Sequence, residues 1–174
     1  MFEARPYNDH DAMAVFRQLD AMDMIECEIV RGSAATSLGL FADWRAMQPH
    51  RPLSYVAIRG GVPFAVFALS NTGQAGVAQA ALLSRDHARY RRALAELCAA
   101  IRAHMPKLAT EAGIHRIEAR SWANHPTGGQ LLLALGFAHE CAMPGFGLTG
   151  TAQFSQYAWT AAAVNLPLAN PKRS

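Results

Sequence analysis

Cysteine is scarce in this chain: Cys27, Cys98 and Cys141 are odd in number, far apart and set in apolar or helical surroundings. A disulfide framework is thereby excluded, and buried free thiols in a reducing compartment are expected. Long apolar runs are missing as well. No stretch reaches the 18 or so apolar residues that span a bilayer, and residues 1–9 lack a basic head followed by an apolar run. The expectation is a cytoplasmic protein with no membrane partner. Charge is sparse, at 17% of residues with a net +3, which permits an anionic ligand without demanding nucleic acid. The histidines at 10, 50, 87, 104, 115, 125 and 139 lack the spacing of a zinc motif, and no cysteine pair accompanies them, so no metal is expected. There is no G-x-S-x-G elbow, no phosphate loop ending in Gly-Lys-Ser, and no dinucleotide fingerprint opening a helix. GlyPheGlyLeuThrGly at 145–150 lies between two strand patterns and reads as a turn.

What is present is apolar: 51% of 174 residues, enough for one domain that buries roughly two thirds of its unfolded surface. Residues 2–7 suit a short strand, and Asn8 or Asp9 can cap a helix in which Met13, Phe16 and Leu19 recur. A second helix over 24–31 ends at Gly32, and Ser33 can cap a third carrying Leu38, Phe41 and Trp44. The period then changes to that of strands. A hairpin forms from 54–59 and 62–70 around Gly60 and Gly61, followed by a strand over 75–83 with small apolar side chains on both faces. Ser84 can cap the longest helix, with a stripe of Leu94, Leu97, Cys98, Ile101, Met105 and Leu108, and Pro106 kinks or restarts it. Strands over 114–122, 137–143 and 152–160 follow, with a Leu-rich helix ending at Gly136 between the first two. Residues 1–161 form the domain and 162–174 a loose tail.

The closing segment carries a family pattern. AsnHisPro at 124–126, a Leu-rich helix ending LeuGlyPhe at 135–137, Glu140, and a Gly turn before an aromatic strand resemble the C-terminal half of the GNAT acetyltransferases. The order of elements resembles that family over nearly the whole chain, and GluCys at 26–27 with the Gly hairpin resembles its phage and prophage subgroup. The resemblance implies an α/β fold with a mixed central sheet of about seven strands, splayed between the fourth and fifth and flanked by helices. It also implies acetyl-CoA as substrate, with pantetheine along Leu82 and Leu83, Asn124 on the opposite lip, and pyrophosphate at the long helix's N-terminus.

Arg85, Arg89, Arg91 and Arg92 crowd that N-terminus, where positive charge opposes the helix dipole and a bound phosphate would offset it. The family's loop, Arg or Gln followed at set spacing by two small residues, is absent. Arg85 is followed there by Ala88 and Tyr90, and Arg89 by Arg92 and Leu94. The usual carboxylate on the third meander strand is replaced by Gln79, and the usual tyrosine of the Leu-rich helix by Leu132. Gln79, Tyr157 and His125 are the catalytic candidates, with Glu118 behind them. Two functions stand side by side: an N-acyltransferase moving acetyl from acetyl-CoA to an amine on a small molecule or a protein, and a phage-derived protein of the same fold without that activity, virion-associated or protein-binding. A homodimer is left open.

Overall fold

The computed structural model describes residues 2–161. The expected tail at 162–174 lies outside the described residues. The strands are β1 (Glu3–Pro6), β2 (Leu53–Arg59), β3 (Val62–Asn71), β4 (Val77–Ser84), β5 (Arg116–Trp122), β6 (Ala138–Phe146) and β7 (Ala152–Thr160). The helices are α1 (Asp9–Phe16), α2 (Ala21–Arg31), α3 (Ser37–Ala46), α4 (His87–Glu111) and α5 (Gly128–Ala134). One sheet holds all seven strands in the order β1-β2-β3-β4-β5-β7-β6, antiparallel except for the parallel pair β4–β5.

Strand alternation sorts the core into two faces. Val56, Ile58, Val66 and Ala68 meet α1 and α3 through Phe16, Leu40, Phe41 and Trp44. The opposite face packs under α4, through Ala57, Phe64 and Ala65 against Tyr90, Ala93, Leu94 and Leu97. Farther along, Ala78, Ile117 and Ala119 lie with α4 and α5 residues in the same layer.

The β4–β5 pairing is short. It holds Val77 to Arg116, Ala78 to Ile117 and Gln79 to Glu118, then stops. Beyond that rung β4 stays with β3 as far as Ser84, and β5 stays with β7 as far as Trp122. At its far end the open edge of β4 is taken by the α1–α2 connection, where the Asp20 amide donates to the Ser84 carbonyl at 2.9 Å and Leu19 bridges Arg85. The free edge is therefore the stretch from Ala80 to Leu83.

Several local expectations shift for physical reasons. Ser84 does not cap α4. It stays in β4, opposite Ala65, and the cap is Asp86, whose side chain accepts from the Arg89 amide at 2.9 Å. Asp86 sits at φ 22°, the only non-glycine residue with positive φ among those described, a conformation Asp tolerates better than bulkier residues. Thr36, not Ser33, caps α3 by accepting from the Gly39 amide. Pro106 does not break α4, because Leu97 and Cys98 before it and Met105 and Ala109 after it are all buried, and that packing outweighs one lost hydrogen bond. Of the three thiols only Cys98 is buried; Cys27 is half-buried, and Cys141 is exposed on β6, which lies at the sheet's edge. No helix among the described residues is long and apolar enough to cross a membrane.

Candidate active site

The splay opens into a cavity of about 380 Å³, within the size range of small-molecule sites. Its lining comes from both faces of the sheet. Ala80, Leu82, Ile101, Met105 and Leu131 lie on the α4–α5 side, while Gln79, Ala81, Leu83, Glu26, Val30 and Phe154 lie on the α2 side. The gap thus passes through the sheet, with a helix layer over one mouth and α2 beside the other. Small side chains at Ala80 and Ala81 leave it room.

Asp23 ties the mouth together. It is 7% exposed, and its Oδ1 accepts from Nε2 of His125 and Nε2 of His87, each at 3.1 Å. Its Oδ2 accepts from the Ser84 amide at 2.8 Å. One carboxylate therefore joins α2, the end of β4, the start of α4 and the β5–α5 loop. Burial alone would raise the Asp23 pKa, but the hydrogen bonds from His125, His87 and Ser84 outweigh it and hold the carboxyl below its ordinary value. Burial pulls the other way on His87, and its bond and attraction to Asp23 raise it nonetheless.

These three side chains have the donor set of a metal site, with ligand atoms within 4.8 Å of one another. The histidine chemistry disfavours that use. Nδ1 of His125 accepts from the amides of Gly128 at 2.8 Å and Thr127 at 3.2 Å, so the ring proton sits on Nε2, facing Asp23. A ligating imidazole needs the reverse, a free Nε2 lone pair and a proton on Nδ1 for an outer acceptor. The cluster is a hydrogen-bonded knot.

One helical turn from Asp23, Glu26 enters the cavity. Its Oε2 accepts from the Trp122 amide at 3.1 Å, and burial raises its pKa although that bond and the nearby His125 oppose the shift. A carboxylate raised in this way is a stronger base than a free one. Glu26 stands at the α2 mouth of the gap.

The residues expected from the sequence divide into two groups. Gln79, Leu82, Leu83 and His125 line the cavity. Tyr157 is buried on β7, its hydroxyl so close to Gly129 that a Cβ there would meet it at 2.5 Å. Glu118 pairs with Arg116 at 2.7 Å. Asn124 is exposed outside the cavity lining. Arg85 lies across the end of the hairpin, donating to the Pro63 carbonyl at 2.9 Å and to Gln18. Arg89, Arg91 and Arg92 line a separate depression on α4 together with Arg59. The α4 N-terminus is already furnished with anions from the chain itself: Asp20 accepts from the His87 amide at 2.8 Å and Asp86 from that of Arg89.

Sequence reasoning missed Asp23, Glu26, His87 and Thr127. Asp23 and Glu26 stand at i and i+3, on one face of α2. Two acids on a helix face otherwise packed with Met24 and Cys27 were a usable signal.

No protein-family model and no curated protein matches the sequence. Solved structures do share its fold. The Salmonella typhimurium protein yncA, solved with its cofactor acetyl-CoA, matches with a TM-score of 0.67 at 14% identity, over 97% of this chain and 98% of that one. A GNAT-family acetyltransferase from Bacillus anthracis matches at 0.67 and 12%, over 91% and 94%. The ribosomal-protein-S5-alanine acetyltransferase of Vibrio fischeri matches at 0.65 and 12%, over 91% and 92%. The chain therefore has the GNAT acetyltransferase fold, with the mixed seven-stranded sheet that opens between β4 and β5.

Proposed function

We propose that the protein is an N-acyltransferase that moves an acyl group such as acetyl from its CoA thioester to an amine by direct transfer. The observation that carries this reading is the cavity through the sheet, with a free β4 edge on one side and Glu26 on the other. Alternation along β4 points the amides and carbonyls of Ala80 and Leu82 into the gap, since Ser84 turns the same groups there. A pantetheine arm carries amides that can pair with that edge.

The donor's thioester then lies between Ala80–Leu83 and Ala119–Ser121, and the amine reaches it from the α2 mouth. Holding the two in one cavity supplies proximity. Glu26 takes the amine's proton directly or through one water, the amine nitrogen forms the new bond to the carbonyl carbon, and the C–S bond breaks to release the CoA thiolate. Gln79 orients the amine or water at the last paired rung, and His125 holds the loop in place. CoA phosphates meet the guanidinium groups of Arg89, Arg91 and Arg92 instead of bare amides, because Asp20 and Asp86 occupy the amides. That same occupation favours a second reading, a protein of this fold without transferase activity.

Calorimetric titration with acetyl-CoA separates the two readings. Binding should appear, and donor at 100 times its Kd should stabilise the fold by about 2.7 kcal/mol; thiol release should then follow with one of a panel of amines. Neither heat nor thermal shift with acetyl-CoA or any longer acyl-CoA at millimolar concentration would overturn the first reading and leave the second.

A further inference from the structure

Resting on the acyltransferase reading, we infer that the preferred donor carries a medium-length acyl chain of about eight carbons, housed in an arm of the cavity beneath α4. The cavity does not end at the splay. Its lining continues across two rungs of the sheet, from Ala80 to Leu69 to Leu53 and from Leu82 to Phe67 to Tyr55. That is a displacement of two strands, roughly 10 Å, away from the gap. No part of a thioester or of an attacking amine is required there.

The arm is apolar throughout apart from the Tyr55 hydroxyl. Its roof is Ile101, Met105 and Leu108, one stripe of α4. The first half of the same helix packs closely, burying Phe64 and Ala65 completely. Beneath the second half the floor residues Leu53, Tyr55, Phe67 and Leu69 are only partly covered by protein. A core of this size normally closes such a gap, and an alkyl chain is the occupant that matches its chemistry. With carbon–carbon bonds of about 1.5 Å in a zigzag, about eight carbons span the two strand spacings. An acetyl group would leave the arm empty.

The test is calorimetry on the whole protein with acetyl-, butanoyl-, hexanoyl- and octanoyl-CoA. Affinity should rise about fourfold for each methylene that enters the arm. Equal affinity for all four donors would overturn the inference while leaving the acyltransferase reading intact, and so would a gain seen only when the acceptor amine is lengthened. Binding of none of them would overturn both. Leu53→Trp on the floor and Leu108→Trp on the roof each shorten the arm, so in either variant the octanoyl-to-acetyl affinity ratio should fall toward one. A ratio unchanged in both folded variants would place the chain elsewhere and refute the assignment.

Discussion

Replacing Asp23 with alanine tests the knot at the mouth of the splay. The substitution removes the acceptor for three donors, Nε2 of His125, Nε2 of His87 and the Ser84 amide. Hydrogen bonds to a charged group contribute about 1.5–3 kcal/mol each, and a simple sum would exceed 4.5 kcal/mol. The bonds are not independent, since both imidazoles share Oδ1 and the adjoining cavity can admit water to the stranded donors. The loss expected for breaking a buried charged contact, about 3–5 kcal/mol, is therefore the better guide, equivalent to a fall in Tm of about 10 °C for a chain of this size. The loss should depend on pH. Asp23 has a depressed folded pKa, so its contribution is present above its ordinary 3.8 and fades as pH falls through the lower folded value. His87 has a raised folded pKa, so its contribution is complete below its ordinary 6.5 and fades as pH rises through the higher folded value. The difference between wild type and Asp23→Ala should accordingly be largest near pH 5.5 and smaller at pH 8.5. Urea unfolding at both values measures it. A difference under about 1 kcal/mol at pH 5.5, the size of a single exposed pair, or one that grows as pH rises from 5.5 to 8.5, would refute this account.

Glu26→Gln should lower kcat by about 10²–10⁴ while acetyl-CoA affinity is kept, the signature of a lost general base. Because the folded pKa of Glu26 is raised above 4.5, its charge opposes folding once pH exceeds that value, so the same variant should unfold at higher urea at pH 7; lower stability there would contradict the assigned burial. Gly129→Ala should destabilise by about 1–3 kcal/mol through overlap with the Tyr157 hydroxyl, and Tyr157→Phe should recover most of that loss in a double-mutant cycle. Additive effects of the two substitutions would show that the contact is absent. Asp20→Asn takes a negative charge from the α4 N-terminus and should tighten acetyl-CoA about tenfold at low salt, whereas Arg89→Glu with Arg92→Glu should weaken it. Titration calorimetry reads both, and affinities unmoved in either case would remove this helix end from the phosphate site.

Much of the architecture was legible because local pattern and tertiary demand agree. Asn8 and Gly32 cap the helices where their chemistry suggests, and the hairpin at Gly60 and Gly61 turns where expected. Caps were misread where a residue had a competing role. Ser84 has the chemistry of a cap, yet β3 and Asp23 hold it in the strand, and the helix begins two residues later on Asp86. Pro106 has the chemistry of a break, yet burial on both sides carries the helix through.

By itself the sequence determined the order of strands and helices, the small alanines of β4 and the basic cluster at the head of α4, because each is a matter of neighbours along the chain. Only the tertiary structure decided what the mouth of the splay is made of. Asp23, Ser84, His87 and His125 come from four separate elements, and no spacing predicts that a carboxylate on α2 reaches the end of β4. The same holds for the arginines. Read along the chain they stand where a diphosphate would sit, but folding fills the amides beneath them with Asp20 and Asp86 and turns Arg85 toward the hairpin. Side-chain competition for a few backbone donors is a three-dimensional property, and in this protein it fixes which groups remain free to meet a ligand.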